Sequence, residues 1–320
     1  MLDVFFTVDV EIWCDGWKHL DERFPDAFRK YIYGPTPKGD YGLPFQIKLL
    51  NSHGLTGVFF VEPLFATRFG SAPLAEILGL LRDGKQDIEL HLHSEWVDES
   101  REPLLDKIHE KRQHLRYFSL AEQSKLIAIA ADLIRKNGGG DIEAFRAGSF
   151  AFNKDTLGAL AENGIPFDSS YNASQFGLSS GVMPGVTLVE PIKCEGVIEY
   201  PMTVFKTGRG SLRHAQLTAC SFGEIEALLW KSLESRRSSF VMLFHNFELL
   251  NRAKDRADDV VVSRFRKLCS FLDKNRDSFR VRGFRDLQPR FVQSQPDPLS
   301  IPAWLTGVRM LEQGYRKRYG

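Results

Sequence analysis

Val4–Phe5–Phe6–Thr7–Val8–Asp9–Val10–Glu11 (VFFTVDVE) reads as a strand, dense in β-branched and aromatic residues. Alternate strand residues share a side, so Thr7, Asp9 and Glu11 lie on one side and Val8 and Val10 on the other. Working outward, Phe45–His53 has helical spacing and stops at Gly54, and Thr56–Val61 (TGVFFV) is a second strand. Leu74–Arg82 is helical up to Gly84, and Asp87–His93 (DIELHLH) is a third strand. Ser119 and Glu122 form a capping box that opens a helix to Lys136, closed by Gly138–Gly139–Gly140. A helix over Lys154–Asn163, a short strand Ile165–Asp168 and an extended stretch Ile198–Val204 follow. Ser221 and Glu224 cap a helix to about Ser235. Ser239–His245 (SFVMLFH) is a buried-looking strand, Asp258–Lys274 is helical and Phe279–Phe284 extended. Strands alternating with helices indicate βα units and a mainly parallel sheet. The number of units predicts a closed or nearly closed α/β barrel rather than two domains.

The composition agrees with a globular chain. In 320 residues there are 42 Lys+Arg against 41 Asp+Glu, a net charge of +1, and 43% hydrophobic residues. That balance excludes a disordered or fibrous chain, and near-neutrality argues against a dedicated nucleic-acid binder. No apolar run reaches the length of a bilayer span, and no basic n-region precedes the first strand. Cys14, Cys194, Cys220 and Cys269 are far apart and form no CxxC pair, so four free thiols in a reducing, cytoplasmic setting are expected. The stretch 98–118 is charge-dense and reads as a solvated insertion or flap on a barrel covering 1–292. Residues 293–320 form an extension ending in a basic, amphipathic helix (Arg309–Gly320). It is expected to be a packed terminal helix or a surface for a membrane or a partner.

The strand ends carry the unusual residues. Two carboxylates, Asp9 and Glu11, on an apolar strand are costly unless something pairs with them, which points to a cation or to acid–base work. His91 and His93 share a face of the third strand and Glu95 follows just past it; imidazole with carboxylate suits Zn2+ or another divalent transition metal, or a metal-free sugar pocket. Arg146, in Phe145–Arg146–Ala147–Gly148, needs an anion in its apolar setting. His245, followed by Asn246, Phe247 and Glu248, is a candidate general acid. Asp168, before Ser169 and Ser170, is either a catalytic group or the start of an Asx turn. Trp13, Trp17 and Trp96 either stack on a sugar ring or pack.

In this order the segments resemble the polysaccharide deacetylase family, the NodB-homology carbohydrate esterases. Thr7–Val8–Asp9–Val10–Glu11 resembles the family's T-F-D-D motif, His91–Leu92–His93–Ser94–Glu95–Trp96 its histidine motif, and Phe145–Arg146–Ala147–Gly148 its arginine motif. Phe167–Asp168–Ser169–Ser170–Tyr171–Asn172 falls at its fourth motif, and Leu243–Phe244–His245 resembles its Leu-x-His motif. The likeness runs from about residue 3 to 285. It looks most like the branch among bacterial surface-polysaccharide and lipopolysaccharide synthesis proteins.

The resemblance implies a distorted (β/α) barrel of seven strands and a metal-dependent N-deacetylase of an amino-sugar substrate, a glycan precursor or a surface polysaccharide. By match, Asp9 takes the place of the catalytic base, Arg146 of the arginine that holds it, His245 of the catalytic acid, and Asp168 of a further catalytic group. Val10 replaces the usual second Asp, so Glu11 stands in as metal ligand. The family's two histidines lie four residues apart, and from His91 that position is Glu95, so the set is Glu11, His91 and Glu95, or it includes His93. Zn2+ is the expected cofactor and a carbohydrate the expected partner. Rival readings are another amide or ester hydrolase on the same fold (a deformylase, an O-deacetylase, a metal-free amidohydrolase) and a non-catalytic carbohydrate-binding homologue.

Overall fold

The apolar runs pair into one nine-stranded sheet in the computed structural model, which describes residues 1–106, 111–208 and 210–319. The strands are β1 (Leu2–Val10), β2 (Val58–Val61), β3 (Asp87–Leu92), β4 (Ala144–Ala147), β5 (Phe167–Asp168), β6 (Ile192–Cys194), β7 (Val197–Glu199), β8 (Ser239–His245) and β9 (Phe279–Val281). Their order is β8-β1-β2-β3-β4-β5-β7-β6, with β9 also on β1. Every pair is parallel except β6–β7. The sheet therefore has nine strands where seven were expected. The hairpin partner β6 adds an antiparallel edge. β2 pairs with β1 only from Thr7 to Val10, so β9 occupies the stretch Leu2–Val4.

β7 and β8 do not pair with each other, and an irregular segment bridges the gap between them. Thr203 N–H donates to the Val241 carbonyl at 3.0 Å, and Leu243 N–H to the Ala215 carbonyl at 2.8 Å. Ala215 N–H in turn donates to the Thr203 carbonyl at 2.8 Å. The wall thus curls round on itself and gives the sheet an inside.

Period-two alternation then sorts the core. Phe5, Val58, Phe60, Phe167, Tyr200, Met202, Val241 and Phe284 form one buried cluster. The opposite faces, including Val4, Phe6, Val8 and Val10, belong to a larger cluster with helix residues such as Leu50, Leu78, Leu228 and Phe265. The rings of Phe6 and Phe265 stack at 5.5 Å. Burying each such side chain contributes roughly 1.5–3 kcal/mol.

Side-chain caps mark the starts of several helices. Ser119 with Glu122 and Ser221 with Glu224 form complete capping boxes on Leu120–Lys136 and Phe222–Glu234. Within the charged stretch 98–118, residues 107–110 lie outside the described residues; Leu105, Leu115 and Phe118 are buried. In the C-terminal extension, Leu299–Ser300 pairs with Phe205 and Lys206, and the helix Ala303–Tyr319 follows. Among the described residues no helix is long and apolar enough to cross a membrane.

Candidate active site

Thr7, Asp9 and Glu11 continue the face of β1 that carries Phe5, so they stand at the mouth of the curled sheet. Arg146 reaches them from β4. Its Nη1 donates to Asp9 Oδ1 at 2.7 Å and to Thr7 Oγ1 at 2.8 Å. Nε donates to the Ser169 carbonyl at 3.1 Å and Nη2 to Ser169 Oγ at 3.1 Å, while the guanidinium lies 4.3 Å from the Phe60 ring centre. A fully buried arginine is costly unless its charge and its protons are all matched. Here the carboxylate, hydroxyls and carbonyl match them, and Asp9 is fixed in place.

The two histidines of the third strand converge on one oxygen. His91 Nδ1 lies 2.8 Å from the Arg146 carbonyl, leaving Nε2 3.1 Å from Glu11 Oε1 and 3.9 Å from Asp9 Oδ2. His93 comes just after β3, still extended, with Nε2 2.9 Å from the same Oε1. Glu95 stands behind it, Oε2 3.1 Å from His93 Nδ1. Glu11 Oε2 is taken by the Trp13 indole N–H at 2.7 Å. The backbone of Glu11 is held at both ends by the Asn246 side chain, which accepts from Glu11 N–H at 3.0 Å and donates to its carbonyl at 3.1 Å.

Burial works against a charged Glu11, yet the charge of His93 and the bonds to both imidazoles hold its carboxyl well below the usual range. For His93, burial disfavours the cation, but the charge and hydrogen bond of Glu11, then those of Glu95, hold it well above the usual imidazole range.

Glu11, His91 and His93 offer ligand atoms all within 4.8 Å of one another; Asp9, Glu11 and His245 form a second such group. Two imidazoles with anchored rear nitrogens and one carboxylate fit a divalent transition metal, with the Asp9 side left open.

His245 ends β8 and pairs in register with Asp9. Its Nδ1 lies 2.7 Å from Glu248 Oε1, and its Nε2 lies 3.9 Å from Glu11 Oε1. Gln216 Nε2 donates to the same Glu248 oxygen at 2.5 Å. Burial lowers the His245 pKa, but the charge and hydrogen bond of Glu248, then Glu11 and Asp9, raise it to about 9. Sequence reasoning gave Glu248 no role; the three-residue step from His245 to Glu248 was its signal.

A pocket of about 500 Å³ opens at this point, lined by Asp9, Glu11, Trp13, His93, Phe150, His245 and residues around them. Of the three tryptophans expected to stack or pack, Trp13 lines it. Trp96 is buried against Phe65 and Phe69, and Trp17 lies under Lys111 at 3.8 Å. Ser149 and Phe150, also in the lining, both have left-handed φ values, 55° and 57°, a strain found where a functional site over-determines the backbone. Asp168 does not line the pocket. It is fully buried, accepts from Ser170 Oγ at 2.6 Å and neighbours Glu199; burial, then the charge of Asp168, holds the Glu199 carboxyl well above its usual range.

No family model and no curated protein matches the chain. Among solved structures, a Mycobacterium smegmatis protein provisionally described as a polysaccharide deacetylase superposes with a TM-score of 0.54 at 18% identity, over 92% of this chain and 94% of that one. That likeness shows the fold. A family 4 carbohydrate esterase from Streptomyces lividans in complex with acetate is more distant, with a TM-score of 0.41 and 12% identity over 87% of this chain and 89% of that one. A mutant peptidoglycan deacetylase from Bacillus subtilis has a TM-score of 0.39 and 11% identity, over 100% and 98%.

Proposed function

We propose that the chain is a metal-dependent hydrolase that removes an N-acetyl group from an amino-sugar-containing substrate, as the motif resemblance implies. The observation that carries this reading is the convergence, on one pocket, of an arginine-held carboxylate, a His–His–Glu donor set and a carboxylate-backed histidine. Glu11, His91 and His93 would hold the cation, with Glu95 orienting His93 from behind. A divalent ion bound there supplies Lewis acidity toward a carbonyl oxygen and acidifies a water.

The chain's own residues do the rest. Asp9, held and aimed by Arg146, accepts the proton of the attacking water. His245, protonated near neutral pH because Glu248 faces its Nδ1, donates to the departing amine, which needs an acid to leave. The products are acetate and a free amino sugar. Asp168 is set in the wall beneath Arg146 through its neighbour Ser169, and its role in this reading is positional.

Acetate release from N-acetylhexosamine substrates tests the proposal. Asp9→Asn and His245→Ala each remove turnover by several orders of magnitude while sparing the fold. Wild-type turnover in both variants would refute the assignment.

A further inference from the structure

Charge is unevenly distributed around the catalytic pocket. Among the described residues its lining carboxylates, Asp9 and Glu11, both come from β1. Another part of its wall is built by two loops. One, after β5, supplies Gln175 and Phe176; the other, in the segment between β7 and β8, supplies His214 and Gln216. Neither stretch of chain contains an acid: there is none between Asp168 and Glu190, and none between Glu199 and Glu224. Arg213 stands in the second stretch. On the short strand Leu212–His214 it is half-buried, and Nη2 donates to the Ala219 carbonyl at 2.7 Å. Among the described residues its side chain makes no other hydrogen bond and no ion pair, so most of the five guanidinium donors face no protein acceptor. With Ser174 it lines a small annex of about 180 Å³. Gln175 and His214 line both the annex and the catalytic pocket, so the two spaces adjoin.

We infer that the substrate sugar carries an oxyanion, a phosphate or a carboxylate, and that the annex takes this group on Arg213. The inference rests on the deacetylase reading for its placing of the acetamido group at Glu11, His91 and His93. A half-buried guanidinium without a counter-ion is costly, and its planar fork of donors matches an oxyanion. The neighbouring groups leave that charge unopposed. His214 is held at both ring nitrogens, Nδ1 2.9 Å from Ser174 Oγ and Nε2 3.1 Å from Gln216 Oε1. Burial keeps its imidazole below the ordinary range, so the lasting positive charge of the annex is Arg213. Arg116 adds a second cation to the same wall. Its guanidinium lies 4.7 Å from the Phe176 ring centre, Nη1 donates to Ser179 Oγ at 3.0 Å, and it too forms no ion pair among the described residues. A neutral sugar would leave both arginines unmatched.

Calorimetric titration of the metal-free full chain tests this, since no cation can then hold the oxyanion. The probes are N-acetylglucosamine, N-acetylglucosamine 1-phosphate and N-acetylmuramic acid. At least one charged sugar should bind about tenfold or more tightly than the neutral one, as a charged hydrogen bond contributes, and the one that gains tells phosphate from carboxylate. The gain should shrink at high salt, vanish in Arg213→Leu and survive in part in Arg213→Lys, with melting temperatures checking that both variants fold. Equal binding of all three sugars by the wild type overturns the inference. So does a preference that salt leaves untouched, or one that Arg213→Leu retains. Equal acetate release from neutral and charged sugars would sink this inference and leave the deacetylase reading standing. A charged-sugar preference lost in Arg213→Leu, without acetate release from any sugar, would do the reverse.

Discussion

Gly148 is predicted to be indispensable to the donor set, although it touches no reacting atom. A Cβ built on it would lie 2.7 Å from His93 Nδ1, 2.8 Å from Cγ and 2.9 Å from Cε1. Carbon contacts settle at about 3.5–4.0 Å, so in Gly148→Ala the imidazole must retreat by roughly 0.7 Å. That ring is held on one nitrogen by Glu95 at 3.1 Å, on the other by Glu11 at 2.9 Å, and by Trp13, whose ring centre is 4.8 Å away, edge to face. A retreat breaks at least one of these contacts. Disturbing what orients a ligand histidine typically costs 10–100-fold in metal affinity, about 1.4–2.7 kcal/mol. Overpacking removes a further ~1–3 kcal/mol of stability. Competition against a chromogenic chelator reads the first loss, and chemical denaturation of the metal-free protein the second. A double-mutant cycle makes the test sharp: in a His93→Ala background the added methyl has room, and Gly148→Ala should cost little. Wild-type metal affinity and stability in Gly148→Ala, or equal losses in both backgrounds, would refute the steric argument.

Three further outcomes are expected. In the metal-free protein, His245 should titrate at about 9 by NMR. Glu248→Gln should bring that midpoint down toward the ordinary 6.5, because the largest raising influence is gone; an unmoved midpoint would show that Glu248 is not the cause. The sign of the linkage follows. A raised imidazole pKa adds stability that is full below about 6.5 and lost as pH rises through about 9, so wild type and Glu248→Gln should converge in alkaline buffer. Trp13→Phe keeps the ring but frees Glu11 Oε2, and metal affinity should fall about tenfold in the chelator assay with the melting temperature little changed. Arg146→Ala leaves Asp9 buried without its cation and should cost about 3–5 kcal/mol in denaturant unfolding.

Much of the site was legible because strand periodicity is a strong signal. The alternation in residues 4–11 puts Thr7, Asp9 and Glu11 on one side, and all three face the curled interior with Phe5. Parallel pairing then brings His91, Arg146 and His245 to the same end of the sheet. What escaped the sequence lies where the chain leaves regular structure. Glu248 sits in the turn after β8, where no period predicts direction. Trp13 reads as a stacking platform, and its indole bond to Glu11, two residues back, depends on the irregular path of the chain just after β1. Asp168 has the chemistry of a catalytic group, but the short strand β5 aims it at Glu199. The extended stretch read over Ile198–Val204 contains most of β7, but its three-residue hairpin partner β6 is too short and too weakly patterned to announce itself.

The Asn246 side chain fastens the backbone of Glu11, and β1 lies between β2 and β8. The candidate site is therefore stitched between β1 and a segment 235 residues further along the chain. A nascent or truncated chain lacking that late segment has its early acids but neither the imidazole opposite them nor the amide that sets their height. Competence should thus arrive abruptly, only once β8 and Asn246 have been made, and a fragment ending before β8 should be inert whatever else it has folded.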